Sequence, residues 1–327
     1  MTLVELLIAM AIFSLLLGVF YKSFSATSQN VNDLTVKQEM TQKGQRALDY
    51  IGEQLRLAGL FIGPNPGIEF CTATAGIPNP VYSLTHVNTP PNEAISYLTA
   101  ERITTTTTGQ PYLSTTAFSG SGINTLTVNA NSASVTAITE NAGAGTIANA
   151  GAFITLDTLQ PNLGNLVYQV SNFSGTTLTL SPNLNQNVNA QGNLYQVIFK
   201  QISVDANRNL ILTRWDNSNV PYGLCVAYPV PIISSQGLNA GGGVDGFVVE
   251  FTLAGGTQQS TIAASNIGNV REISIWLLLR SDFPTTSGYV NTNTYTLGNK
   301  VQTQVQFNDH YRRLLLTKSV EVKNVGY

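Results

Sequence analysis

The chain begins with an almost unbroken run of apolar residues. Met1–Tyr21 contains 21 residues and one charged side chain, Glu5. In a helix that rises 1.5 Å per residue, this run spans about 30 Å, which is the thickness of a bilayer core. It lacks the basic first region and the small-residue cleavage site of an ordinary secretory signal. The pattern therefore predicts a membrane-spanning helix over residues 1–24.

Polar helix-forming residues continue this helix beyond the apolar run. No proline occurs before Pro64, and Gly63-Pro64-Asn65-Pro66 is a strong stop signal. We therefore predict one helix of about 55–60 residues, whose amphipathic part, 25–63, packs on a head domain. Gly18 and Gly44 are its predicted weak points, because glycine destabilises a helix interior. The predicted packing face has roughly helical spacing and consists of Val31, Leu34, Thr41, Leu48, Ile51, Leu55 and Ala58.

Residues 64–327 are predicted to form a β-rich head. Short apolar or alternating segments are separated by turn residues such as Ser174-Gly175 and Asp245-Gly246. Predicted strands are Ala94–Leu98, Thr125–Asn129, Ala152–Asp157, Asn165–Val170, Thr176–Leu180, Leu194–Val204, Leu210–Trp215, Gly246–Leu253, Arg271–Arg280 and Arg312–Lys323. The apolar Arg271–Arg280 is predicted to be a central strand. The fold class is therefore α+β: a long N-terminal α-helix packed on a β-rich globular head.

The composition favours an exported protein. Charged residues make up 10% of the chain, far below the usual quarter, and the net charge is −2. This charge argues against nucleic-acid binding, which generally needs a basic excess. Between Leu57 and Phe199 the one basic residue is Arg102. A low-charge insertion rich in Thr, Asn and Gly lies around 104–150.

The two cysteines are Cys71 and Cys225. An even number of cysteines in an exported protein predicts one disulfide, and two unpaired thiols are the alternative.

Glu5 needs a physical explanation. A carboxylate in the middle of a membrane costs about 2.5–3.5 kcal/mol even on the mildest scales. Glu5 lies near one end of the apolar run. Either its side chain reaches the lipid headgroups, or it pairs with a cation that a neighbouring subunit supplies.

The run Met1-Thr2-Leu3-Val4-Glu5-Leu6-Leu7-Ile8-Ala9 resembles the start of mature type IV pilins and type II secretion pseudopilins. The resemblance implies that a leader is cut before residue 1 and that the new amine, here on Met1, is N-methylated. It also implies that Glu5 pairs with the N-terminal amine of an adjacent subunit. Most family members begin with Phe where this chain has Met1. We expect Met1 to be the mature first residue.

The head resembles one branch of this superfamily, the PilW-type minor pilins. The resemblance is scattered over nearly the whole chain and is weakest at 104–150. The stretches that carry it are Gln54–Gly59, Gly151–Leu156, Ser174–Thr179, Asn209–Arg214, Val270–Ser281 and Tyr311–Asn324.

No enzymatic motif is present in the sequence, and no cofactor or metal is expected. HExxH, CxxC, GxSxG and P-loop patterns are absent. The two histidines, His86 and His310, are predicted to be surface residues. Oxygen-rich Asp205–Asn209 and Asp216–Asn219 lack the terminal Glu and the turn Gly of an EF-hand, so we interpret them as β-turns rather than calcium sites.

These features predict a PilW-like structural subunit of a type IV pilus, involved in pilus assembly and, through an adhesive surface on the head, in adhesion. The alternatives are a J-class pseudopilin of type II secretion, or the major subunit of its own filament. A membrane-anchored enzyme or sugar-binding domain is a third class. The expected partners are other pilin subunits, the inner membrane before assembly and the pilus assembly machinery. The expected final location is an extracellular filament of a bacterium.

Overall fold

The structure is a computed structural model. It describes residues 3–64, 66, 68, 82–87, 89, 91–102, 122–128, 152–157, 167–184, 192–216, 226–234, 242–285 and 289–322. Only the backbone is described for Glu5, Phe173, Pro182, Leu184, Asp216 and Val226.

A single helix, α1, runs over Leu3–Arg56 and has 54 residues. It passes through Gly18 and Gly44 without a break, so neither glycine interrupts it. The helix ends seven residues before the predicted stop at Gly63. Gly59 adopts a left-handed φ of 73° and donates its N–H to the carbonyl of Leu98, at 2.8 Å. This bond turns the chain onto the first sheet and prevents another helical turn.

The described strands of the head are short to medium in length. They are β1 Leu84–Val87, β2 Ala94–Arg102, β3 Ile123–Thr127, β4 Phe153–Leu156, β5 Tyr168–Ser174, β6 Thr177–Leu184, β7 Leu194–Val204, β8 Leu210–Asp216, β9 Val226–Ile233, β10 Gly243–Leu253, β11 Gln258-Gln259, β12 Val270–Arg280, β13 Thr294–Leu297, β14 Thr303–Gln306 and β15 Arg313–Glu321. A 3₁₀ turn, Ala264–Asn269, precedes β12.

The larger sheet divides into two arms at β7. On one side, β7 pairs with β2 from Tyr195 to Ile202, and β1 continues the sheet. On the other side, the first residues of β7 pair with β4, which leads to β5, β6 and β3. The later residues, Phe199–Val204, pair instead with β8, which leads to β9. All described pairs in this sheet are antiparallel.

The smaller sheet has the order β11-β10-β12-β15 and lies between α1 and a hairpin. Ile273, Ile275 and Leu277 of β12 face the core that the helix shares. Trp276 and Leu278 face the other side, which the β13–β14 hairpin covers through Leu297 and Tyr295. The prediction that Arg271–Arg280 forms a central strand is therefore confirmed.

The main core joins the helix to both sheets. Met40, Ala47, Ile51 and Leu55 of α1 are buried against the smaller sheet. Ile95, Tyr97, Ile202 and Leu210 of the larger sheet belong to the same cluster. A second cluster, with Leu98 and Phe199, lies on the opposite face of the larger sheet. Alternate residues of β2 and β7 therefore face the two clusters, as expected for strands.

All ten predicted strands overlap an observed strand. The prediction missed β1, β9, β11, β13 and β14. Four of these are short: β1, β13 and β14 contain four residues each, and β11 contains two. β9 contains Pro229 and Pro231, which argue against a strand unless it lies at a sheet edge. The predicted packing face of α1 was wrong at its start, because Val31 and Leu34 are exposed.

Candidate functional site: the exposed apolar part of the helix

Among the described residues, the part of α1 from Leu3 to Phe24 forms the largest exposed apolar surface. Every large apolar side chain described between Leu3 and Phe24 is at least 49% exposed. The helix is long and apolar enough here to cross a membrane, and none of its most apolar window is buried. Burying one large apolar side chain is worth about 1.5–3 kcal/mol. A surface of this size is therefore stable only when lipid or other apolar helices cover it.

The predicted assembly residues lie mainly outside the described part of the chain. Glu5 lies in α1, but its side chain is outside the described residues, as is the whole of Met1. Cys71 and Cys225 also lie outside them, so the predicted disulfide stays a prediction. Of the low-charge insertion at 104–150, the structure describes 122–128, which contains β3.

The C-terminal part of α1 is held to the head mainly by close apolar packing. Gly44 is buried, and a Cβ atom at this position would lie 2.5 Å from Leu279 Cδ1 and would also clash with Leu316. Glycine therefore lets the helix backbone approach β12 and β15. The same residue was predicted to be a weak point of the helix, and the structure instead shows it as a contact point.

Three ion pairs flank this packed face. Arg312 contacts Asp33 at 2.5 Å, Lys43 contacts Asp282 at 3.3 Å, and Lys318 contacts Asp49 at 2.5 Å. All six side chains are at least one quarter exposed. Pairs of this kind contribute about 0–1 kcal/mol each, so they orient the helix more than they hold it.

A buried polar cluster, which we call the latch, joins the C-terminal end of α1 to the larger sheet. Gln54 Oε1 accepts hydrogen bonds from Lys200 Nζ at 3.2 Å and from the Tyr97 hydroxyl at 3.4 Å. Glu101 pairs with Lys200 at 2.7 Å and with Arg214 at 3.0 Å. Lys200 stands opposite both Tyr97 and Arg214 in the strand register.

The protonation state of Tyr97 fits its role as a donor in the latch. Burial, followed by the nearby Tyr50 and Glu101, raises its pKa well above the usual value. The phenol is therefore neutral and able to donate. The sequence did not predict the latch, because its members are far apart in the chain, and the one local signal is a lysine within the apolar β7.

A second ionic cluster fixes the start of β15. Arg313, whose side chain is fully buried, donates to Asp245 Oδ2 at 2.6 Å and to both carboxylate oxygens of Asp309, at 2.6 and 2.7 Å. Its guanidinium also lies 3.4 Å from the ring centre of Phe307. The hydrogen bonds from Arg313 lower the pKa of Asp309 below its usual value. Arg280, at the end of β12, is also largely buried, and its guanidinium lies 4.0 Å from the Asp245 carboxylate.

The prediction that His86 is a surface residue was wrong. Its side chain is fully buried, Nε2 lies 2.9 Å from Glu93 Oε2, and its ring packs edge-on against Phe251. Glu93 also accepts the N–H of Val249 at 2.7 Å, so the pair joins the two sheets. His310 is exposed, as predicted.

The interpretation of Asp205–Asn209 as a turn is confirmed. Asp205 Oδ1 accepts the N–H groups of Asn207 and Asn209, each at 2.8 Å, and Oδ2 accepts the Asn209 side-chain amide at 2.7 Å. The carboxylate is thus used within the β7–β8 turn. Within the described residues, no group of three or more His, Cys, Asp or Glu side chains is arranged to hold a metal ion. The second oxygen-rich segment, 216–219, lies almost wholly outside the described residues.

Comparison with known proteins shows a similarity in structure but none in sequence. No protein-family model and no curated protein matches the sequence. Among solved structures, the chain is similar to a type IV-like pilin from Thermus thermophilus, at 10% sequence identity and a TM-score of 0.41. The alignment covers 88% of this chain and 98% of that one.

Proposed function

We propose that this chain is a structural subunit of a type IV pilus or a related filament, inserted in the inner membrane before assembly. One observation carries the proposal: the helix is continuous over 54 residues, but the head covers only its C-terminal part. The apolar residues of the uncovered part, up to Tyr21, span the thickness of a bilayer core. A helix that is apolar on all sides is equally suited to lipid and to a bundle of similar helices.

The sequence at the N-terminus supplies the second support. Glu5 has the position at which the resembling family carries its acidic residue, and Met1 then supplies the N-methylated amine. In lipid the carboxylate has no cation close to it, and in a filament the amine of a neighbour pairs with it. This difference favours the assembled state, because an unpaired carboxylate is costly in an apolar medium.

The assembly role of Glu5 is tested by comparing Glu5→Ala with Glu53→Ala. Glu53 is an exposed residue of the same helix, beyond the apolar run. We expect Glu5→Ala to reduce the amount of this chain in filaments sheared from cells at least tenfold, while Glu53→Ala leaves it unchanged. Both variants should reach the membrane in equal amounts on immunoblots. Normal assembly of Glu5→Ala would exclude the proposed pairing.

The finer assignment is a PilW-like pilin that acts in pilus assembly and, through its exposed head, in adhesion. It rests on the sequence resemblance alone. A J-class pseudopilin and the major subunit of a separate filament are the competing assignments. Quantitative mass spectrometry of purified filaments separates them, since a minor pilin is a trace component and a major subunit is the bulk.

The proposed disulfide between Cys71 and Cys225 belongs to the exported head. A bridge over so long a loop would stabilise the head by about 5 kcal/mol in the chain-entropy model. Thiol labelling of the native, non-reduced protein checks it, since a bonded pair stays unlabelled.

A further inference from the structure

A groove lies between α1 and the start of β15, where the helix first contacts the head. Its volume is about 390 Å³, which is within the usual range for small-molecule sites in proteins. Asp33 and Leu34 of the helix line it together with residues of the head. Leu34 stays 61% exposed there, so the head leaves room for a ligand beside this side chain.

The lining of the groove combines tyrosine rings with aliphatic side chains. The rings are those of Tyr289 and Tyr295, and the aliphatic side chains are those of Leu34, Met40 and Leu314. Burial raises the pKa of Tyr289 above its usual value. Its phenol is therefore neutral, and it can both donate and accept a hydrogen bond. Such a lining suits a ligand that has an apolar face and polar edges.

Arg312 has a buried hydrogen-bond donor without an acceptor. Its Nη2 atom pairs with Asp33, and its guanidinium carbon lies 4.5 Å from the centre of the Tyr289 ring, so the group is held in one orientation. The Nε atom is buried, and no acceptor among the described residues bonds to it. A buried N–H group without a partner is unfavourable. An acceptor oxygen of a ligand in the groove would supply that partner.

Lys37 adds a positive charge to the groove. It lies one helical turn after Asp33, and within the described part of the chain it makes no ion pair. The Asp33 carboxylate is already paired with Arg312. The second arginine of the lining, Arg313, is compensated by two carboxylates of the head. The groove therefore carries one uncompensated cation, which favours an anionic ligand.

We propose that the groove binds a sugar ring that carries a carboxylate group, as in a uronic-acid unit of an extracellular glycan. The C–H face of such a ring suits the tyrosine rings, because the face of an aromatic ring carries partial negative charge. The carboxylate suits Arg312 Nε and Lys37, since hydrogen bonds to a charged group are stronger than neutral ones. The ring hydroxyls suit the polar side chains of Asp33 and Asn293, which also line the groove.

The position of the groove favours a glycan over a membrane lipid as the source of the anion. Asp33 follows Tyr21, the end of the apolar run, by 12 residues. At 1.5 Å per residue it lies about 18 Å beyond the bilayer core, farther than the headgroup layer extends. The inference rests on the proposed function only for the exported position of the head, and it gives the proposed adhesion a class of ligand.

Calorimetric titration of the purified full-length chain, in a detergent without a sugar headgroup, tests the site. The probes are galacturonic acid and galactose, which differ in the carboxylate group. We expect galacturonic acid to bind at least five times more tightly than galactose. Its affinity should also fall as the salt concentration rises, because the ion pairs with the groove are partly exposed and are screened.

Single substitutions locate the binding in the groove. Arg312→Gln and Tyr289→Ala should each weaken the binding of galacturonic acid at least tenfold. Lys37→Ala should weaken it at least threefold, and it leaves the fold intact because Lys37 is exposed. The matched control is Lys300→Ala, which removes an exposed lysine from the turn between β13 and β14 and should bind as the wild type does.

The proposal would be overturned by equal affinity for the two sugars, by the absence of any binding, or by unchanged affinity in all three groove variants. An acidic tetrapeptide that binds more tightly than galacturonic acid would also reject it, since the ligand would then be a peptide.

The titration does not use filaments, so its outcome is independent of the filament proposal. A chain that binds galacturonic acid but never enters filaments would retain the site and reject the filament role. A chain that enters filaments normally but binds no sugar would do the reverse.

Discussion

At the scale of single residues, Gly44 determines how closely the helix lies on the smaller sheet. Even the single methyl group of an alanine would enter the space occupied by Leu279 and Leu316. Gly52, two turns further, has ordinary contacts of 3.4 Å with Lys318 and Val320. The two positions therefore form a matched pair with the same residue type and different surroundings.

We expect Gly44→Ala to destabilise the head by about 1–3 kcal/mol, because the added Cβ atom displaces two packed leucine side chains. Gly52→Ala should be neutral or stabilising by up to about 1 kcal/mol, since alanine favours the helix. Denaturant unfolding of the full chain in detergent measures both. Equal effects at the two positions would contradict the proposed close contact at Gly44.

Asp309 gives a pH dependence with a definite sign. Its folded-state pKa is lowered, chiefly by the Arg313 hydrogen bonds, so the ionised form stabilises the fold at neutral pH. This contribution is lost as the pH falls below the normal Asp value of about 4 and through the lower folded pKa.

We therefore expect Asp309→Asn to destabilise the head by about 2 kcal/mol near neutral pH, because charge-assisted hydrogen bonds are lost. The difference from the wild type should shrink as the pH is lowered towards about 3. Unfolding curves at the two pH values check this. A difference that is constant with pH would mean that the ionisation of Asp309 does not stabilise the fold.

At the scale of elements, α1 has two kinds of contact with the head, and they should differ in strength. Ile51 is fully buried in the shared core, whereas Asp49 is 70% exposed in its ion pair with Lys318. Apolar burial is therefore expected to hold the helix, and the surrounding charges to orient it.

Ile51→Ala should lower the free energy of unfolding by about 2–5 kcal/mol, as large-to-small core substitutions do. Asp49→Ala, two residues away, should lower it by less than about 1 kcal/mol. Chemical denaturation of both variants measures the two losses in unfolding free energy. A larger loss for Asp49→Ala than for Ile51→Ala would contradict this account of how the helix is held.

The elements also show what the sequence predicts and what it does not. Long segments with a clear period, such as α1, β7 and β12, were predicted because their burial pattern is local. The end of α1 was misplaced, because a tertiary hydrogen bond from Gly59 to Leu98 determines it. His86 was misjudged for a similar reason: it is covered by Phe251, which belongs to the distant strand β10, and by Glu93, which lies between β1 and β2.

The candidate site likewise has features that the sequence predicts and features that it does not. The apolar helix was predicted from the sequence, because length and composition alone define a bilayer-spanning segment. The latch and the Arg313 cluster were not, because each depends on a pair that is distant in the chain: Gln54 and Lys200 are 146 positions apart, and Asp245 and Arg313 are 68 apart. Such pairs leave no periodic signal in the chain.

At the scale of the whole molecule, the two ends of α1 have different surroundings. Its C-terminal part is one component of the head core, and its N-terminal part has no partner within the described residues. A molecule built in this way is incomplete as a soluble monomer. Under the proposed function, lipid covers the apolar part before assembly, and neighbouring helices cover it in a filament.

Immunogold electron microscopy with antibodies against the head tests this account most directly. Filaments sheared from cells that make the wild-type chain should carry gold label, and filaments from cells that make Glu5→Ala should carry at most a tenth as much. Label that stays confined to the cell envelope in wild-type cells, with none on the filaments, would contradict the account.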